Sequence, residues 1–126
     1  MHFKAKKADE NHKKGYNCAQ AVACAFCEEA GIKERIMFKM MEGHGLGMGG
    51  MQGTCGAITG AVAVLGAVNS NGDLEHPVSK TDTYKLSREL VNRFQEKNGV
   101  IACKDLKGVE TGKVVRSCPG CIEDAA

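Results

Sequence analysis

The chain has 126 residues, 17 of them basic and 15 acidic, for a net charge of +2, and it contains seven cysteines. A chain of this length makes one domain, residues 1–126, whose core stands without crosslinks, so the cysteines are not needed to hold it together. The balanced charge and the absence of Trp leave no footprint for nucleic acid, and no apolar run approaches the about 18 residues of a membrane span.

From Phe3 to about Lys14 the sequence is polar and helix-compatible, with Gly15 as its stop. Asn17 then reads as the N-cap of a strong helix former, Cys18-Ala19-Gln20-Ala21-Val22-Ala23-Cys24-Ala25-Phe26-Cys27, which is expected to run to Gly31. A second stretch, 33–42, carries Ile36, Met37, Met40 and Met41 at helical spacing. Between Gly43 and Gly53 six of eleven residues are Gly, a composition that destabilises helix and strand alike. Thr54 reads as the next N-cap, placing Cys55 in the first turn of a helix to about Val68 that is apolar on nearly all sides and so belongs in the middle of the fold. Asn69-Ser70-Asn71-Gly72-Asp73 is a turn cluster. A last helix, about 79–97, is expected to turn Tyr84, Ser87, Leu90, Val91 and Phe94 inward, and Asn98-Gly99 ends it. Only Val100-Ile101 and Val114-Val115 read as extended. The expected fold is an all-α, single-domain bundle of about five helices, with a Gly-rich loop before a buried central helix.

The charged N-terminus lacks the apolar stretch of an export signal, so the expected compartment is a reducing cytoplasm. There, cysteine clusters are more often catalytic or metal-binding than structural. A helix N-terminus gathers free amides and partial positive charge, which stabilise a thiolate. Cys18 follows a capping Asn, Cys55 follows Thr54, and Cys118 follows Ser117 with Pro119 behind it, so three cysteines stand where thiol pKa values fall. Two Cys-x-x-Cys pairs are present. Cys24-Ala25-Phe26-Cys27 lies inside a helix, where core packing and a metal pair are both open readings. Cys118-Pro119-Gly120-Cys121 resembles a dithiol redox motif in composition, but no βαβ pattern surrounds it. Neither pair is followed by His, which excludes the c-type haem pattern.

Gly45-x-Gly47-x-x-Gly50 matches the dinucleotide fingerprint by letter, yet a Met-rich helix rather than a strand precedes it. A simpler reading is that these glycines pack the backbone closely around Cys55, or around a cofactor held by it. Met37, Met40, Met41, Met48 and Met51 read as core fillers before copper ligands. His44, inside the glycine loop, is the one His placed to act as ligand or proton carrier. No Ser/His/Asp set or carboxylate pair points to hydrolysis.

Taken together, Gly15-Tyr16-Asn17-Cys18-Ala19-Gln20-Ala21-Val22, then Cys55-Gly56-Ala57-Ile58-Thr59-Gly60-Ala61, then Cys103 and Cys118, resemble the C_GCAxxG_C_C family, named for redox activity. The central motif here is Cys-Gly-Ala-x-x-Gly. The resemblance implies a small helical protein of bacteria or archaea with four characteristic cysteines, Cys18, Cys55, Cys103 and Cys118. Cys24, Cys27 and Cys121 stand outside that pattern. The preferred reading is thiol–disulfide chemistry with a redox partner protein of unknown identity: Cys55 or Cys18, at a helix start, attacks, a second cysteine resolves, and Cys103 with Cys118 can form the other pair; four cysteines allow three pairings. Two rivals remain open. In one, the same four cysteines hold zinc, copper or an iron–sulfur cluster. In the other, they are merely buried in a non-catalytic interaction protein. The Ala and Gly of the central helix are compatible with a homodimer.

Overall fold

The computed structural model describes residues 3–103 and 106. Among these, six α-helices follow in order: α1 (Phe3–Lys13), α2 (Cys18–Ala25), α3 (Cys27–Ala30), α4 (Glu34–Met41), α5 (Gly56–Asn69) and α6 (Lys80–Asn98). The expected all-α architecture stands, with one helix more because the cysteine-rich helix is divided. Its backbone leaves helical geometry at Phe26 (φ −114°, ψ 21°), and Cys27 begins α3. The Cys24 and Cys27 pair therefore straddles a break instead of lying inside one helix. No described helix is long and apolar enough to cross a membrane.

Local signals set most boundaries. Asn17 caps α2 through a complete capping box: its side chain accepts from the Gln20 amide, and the Gln20 side chain accepts from the Asn17 amide, each at 2.9 Å. Gly15 and Gly31 take the positive φ values, 107° and 68°, that let the chain turn after α1 and α3. Gly99 does the same after α6, with φ 83°.

Helix α2 forms the centre, and every one of its residues is buried. On one side Ala21, Val22 and Ala25 join Ala8, Ile58, Ala61, Phe94 and Leu106. On the other, Ala19, Ala23 and Cys24 pack with Met37, Met41 and Val64. Helix α5 is buried through its first half, at Ala57, Ile58, Ala61 and Val64, whereas Val68 near its end is 57% exposed. The side chains explain the pairing: every second residue of α2 is Ala, and α5 presents Gly56 and Gly60, so the two axes approach without bulk between them. A methyl on Gly60 would lie 2.6 Å from the Ala19 carbonyl oxygen.

Helix α1 is fastened by the fully buried Asn11, whose side-chain amide donates to the Ala21 carbonyl at 3.2 Å. Helix α6 docks through Phe94, with Leu90 and Val91 half-buried around it. Tyr84 does not turn inward as its spacing implied: it is exposed, one turn from the start of α6, level with the exposed end of α5, where Asn69 bonds Thr83 and Val68 is exposed too.

Candidate functional site

The glycine-rich segment is a close-wound loop rather than an element. After a 3₁₀ turn at Glu42–His44, Leu46, Gly47, Met48 and Gly49 all take positive φ, and Met51 follows with φ 64°. Three of these carry side chains, so the loop holds a conformation ordinary residues avoid. Its ends are tied. The Gly53 amide donates to the Gly47 carbonyl at 3.0 Å, and the Asn17 side-chain amide donates to the Glu42 carbonyl at 2.9 Å. Among the described residues no strand precedes the loop, so the βα context a dinucleotide fingerprint requires is not found there.

Beyond the loop, residues 53–55 run antiparallel to 101–103. Thr54 and Ala102 form an isolated bridge, the Cys55 amide donates to the Ile101 carbonyl at 2.8 Å, and the Cys103 amide donates to the Gly53 carbonyl at 2.9 Å. This corrects the expected cap. Thr54 is committed to the bridge, and Cys55 itself is the N-cap of α5, in extended geometry and without a side-chain cap bond. Its carbonyl takes the first helical bonds, from Ile58 and Thr59. Alternation along extended backbone sends Thr54 and Ala102 to one face and Cys55 and Cys103 to the other. Burial agrees: Cys55 and Cys103 are buried, and the bridge pair is half-buried. The two cysteines are diagonal neighbours across the bridge.

Cys18 comes from another element, as the first residue of α2. A methyl on Gly56 would meet the Cys18 Sγ at 2.6 Å and the His44 carbonyl oxygen at 2.9 Å, and a methyl on Gly47 would meet the Cys103 Cβ at 2.4 Å. The glycines are thus absences of bulk that seat sulfur atoms. Gly56 and Gly60 of the Cys-Gly-Ala-x-x-Gly motif both face the start of α2, so the motif is a close-crossing device that sets the residue after Cys55 against Cys18. Three of the four expected site cysteines, Cys18, Cys55 and Cys103, therefore stand around one glycine-lined seat. Cys118 lies outside the described residues, as do Cys121 and Val114-Val115.

The chain matches the family model described as "Putative redox-active protein (C_GCAxxG_C_C)" over residues 16–126. It belongs to that family. No curated protein and no solved structure matches the chain. Family membership agrees with where the motif residues lie, since the first cysteine and the Cys-Gly pair meet in space.

His44 sits at the rim of the seat. Its backbone touches the Gly56 position, and its Nδ1 is buried without a hydrogen-bond partner. The methionines divide. Met37 and Met41 are core, as expected of fillers, whereas Met40 and Met48 are each 54% exposed. Among the described residues no group of three or more His, Cys, Asp or Glu side chains is arranged to hold a metal ion.

Cys24 and Cys27 form a separate neighbourhood. Burial pushes the Cys24 thiol up to about 12, helped by the nearby Cys27 thiol and the Glu34 carboxylate. Cys27 is also raised, first by burial and then by Glu34. Cys24 Sγ stands 3.9 Å from the Glu34 carbonyl, within reach of a weak S–H···O bond. The pair opens onto a cleft of about 480 Å³ between α1 and the α2–α3 break. Core packing and a metal pair are both open for these two residues in the sequence, and the break at Phe26 is what sets them apart in the structure.

Proposed function

We propose that the chain works by thiol–disulfide exchange at the seat around Cys18, Cys55 and Cys103, with Cys118 as the fourth participant. The single observation that supports this most is the glycine lining: at Gly47 and Gly56 a side chain would collide with Cys103 and Cys18, at 2.4 Å and 2.6 Å. Both glycines are buried and lie against cysteines, a placement suited to holding thiols within reach of one another.

In the exchange, a thiolate of Cys55 or Cys18 attacks one sulfur of a substrate disulfide. A bond forms between protein and substrate sulfur, the substrate S–S bond breaks, and the departing thiolate takes a proton. A second cysteine then loses its proton and attacks the protein sulfur of the mixed disulfide. This releases the other substrate thiol and leaves a disulfide in the protein. Two electrons pass from the protein dithiol to the substrate disulfide, and a redox partner protein would return them. Cys18 has the better electrostatic position for attack, because it occupies the first turn of a capped helix. Cys55 caps α5 with its backbone and lies at the same end of its helix dipole.

The test is thiol counting and metal analysis on one anaerobically purified sample, followed by oxidation with a small organic disulfide. The expected result is metal-free protein in which two or four thiols of this set become alkylable only after reduction. Stoichiometric metal, with four thiols protected until a chelator is added, would overturn exchange in favour of a metal or cluster carrier. Thiols that stay reduced under the oxidant, and whose replacement alters only stability, would leave an interaction protein.

A further inference from the structure

The cleft beside the α2–α3 break holds two of the three cysteines outside the family pattern. Cys24, 5% exposed, ends toward it from the last turn of α2, and Cys27 lines it from the first residue of α3. Both side chains line this one cleft, from either side of the break. The break at Phe26 frees Cys27 from the helical register, while its carbonyl is held by the amides of Gly31 and Ile32. The Cys27 thiol stands near enough to Cys24 to help push its thiol up. The rest of the wall is aliphatic or hard. Its carboxylates are Glu10, Glu28 and Glu34, matched in number by three lysines of α1, so the mouth carries no net charge to repel a cation.

We propose that Cys24 and Cys27 form a two-sulfur site for a monovalent soft cation, Cu(I). The donor set makes the choice. Thiolate sulfur selects soft ions, and the cleft lining offers two such donors, whereas structural zinc takes four ligands of nitrogen and sulfur type. A d¹⁰ monovalent ion is satisfied by two sulfurs in line. The carboxylates of the wall are hard donors that suit calcium or magnesium better. On binding, two thiol protons leave to solvent as two S–Cu bonds form, and the copper stays in the +1 state. The site is distinct from the seat around Cys18, Cys55 and Cys103, and it does not depend on exchange chemistry there.

The test uses the full chain, reduced and anaerobic, titrated with Cu(I) against a competing Cu(I) chelator. The Cys24→Ser/Cys27→Ser double variant is expected to bind one equivalent fewer than the parent. Because that variant removes two packed side chains, the second readout uses the parent protein. At saturating Cu(I), alkylation followed by peptide mapping is expected to find Cys24 and Cys27 protected together. Zinc at the same concentration is expected to leave them reactive. Equal copper stoichiometry in parent and a folded double variant, ready alkylation of both residues at saturating Cu(I), or equal protection by zinc would each overturn the proposal.

Discussion

Two cysteine neighbourhoods lie at opposite ends of the same short helix, and they differ in what surrounds the sulfur. At the start of α2, Cys18 faces Gly56, and the adjoining loop and bridge bring Cys55 and Cys103 to the same seat. At its end, Cys24 faces Cys27 and the Glu34 carboxylate across a cleft. The first neighbourhood is built by backbone approach, the second by a break in a helix. Residue type is shared; the helix-end field and the space left by glycine belong to the first, and a carboxylate beside buried thiols belongs to the second. At the latter, burial and the Glu34 carboxylate push both thiols up, so a proton must leave before either sulfur can bind or attack.

Glycine-to-alanine changes break the comparison most sharply. In Gly60→Ala the new methyl meets backbone oxygen at 2.6 Å, and backbone cannot step aside as a flexible side chain can. A loss of about 1–3 kcal/mol in denaturant unfolding is expected, as for other overpacked cores. Gly66→Ala, in the same helix with nothing within 4 Å, should instead gain up to about 1 kcal/mol. If both variants gain stability, α2 and α5 are not in close contact, and the seat loses its architecture.

Removing the α2 cap tests the same seat from the other helix. Asn17→Ala deletes the capping-box acceptor and the tie to the Glu42 carbonyl. It should lower stability by about 1 kcal/mol or somewhat more. The reactivity of Cys18 toward alkylation should also change, because its helix end is loosened. An unchanged alkylation rate would separate Cys18 from the cap.

The second neighbourhood has a pH signature. The native Cys24 thiol is held up to about 12 from an ordinary 9.0, so above pH 9.0 the unfolded chain releases this proton first. Stability from this source is complete below that pH and declines as pH rises toward 12, since the native state then binds more protons than the unfolded one. Tyr16, raised from 10.0 to about 12 chiefly by donating to Glu34 at 2.6 Å, contributes with the same sign. In metal-free protein, Cys24→Ala and Tyr16→Phe should each make the alkaline fall in stability shallower. A slope unchanged in both would place neither group in that environment.

The smallest effect is expected at Thr54. Its hydroxyl caps no helix, so Thr54→Val should stay within about 0.5 kcal/mol of the parent, as ordinary half-buried substitutions do. A loss near that of Asn17→Ala would restore Thr54 as a cap.

What the sequence determined by itself is local. Five of the helices, the Asn17 cap and the stops at Gly15, Gly31 and Gly99 were legible because each depends on residues within one turn of one another. The break at Phe26 was not, because Ala25-Phe26-Cys27 contains no helix breaker, and packing on both faces of α2 decides where it ends. Thr54 was misread for a related reason. Thr suits an N-cap and an extended bridge alike, and its distant partner Ala102 decides between them. The four family cysteines were named from their motifs, but spacing along a chain does not say which thiols meet. Tertiary structure alone brought Cys18, Cys55 and Cys103 together, because steric fit between Gly56, Gly60 and the start of α2, and pairing of residues 53–55 with 101–103, are properties of two surfaces in contact.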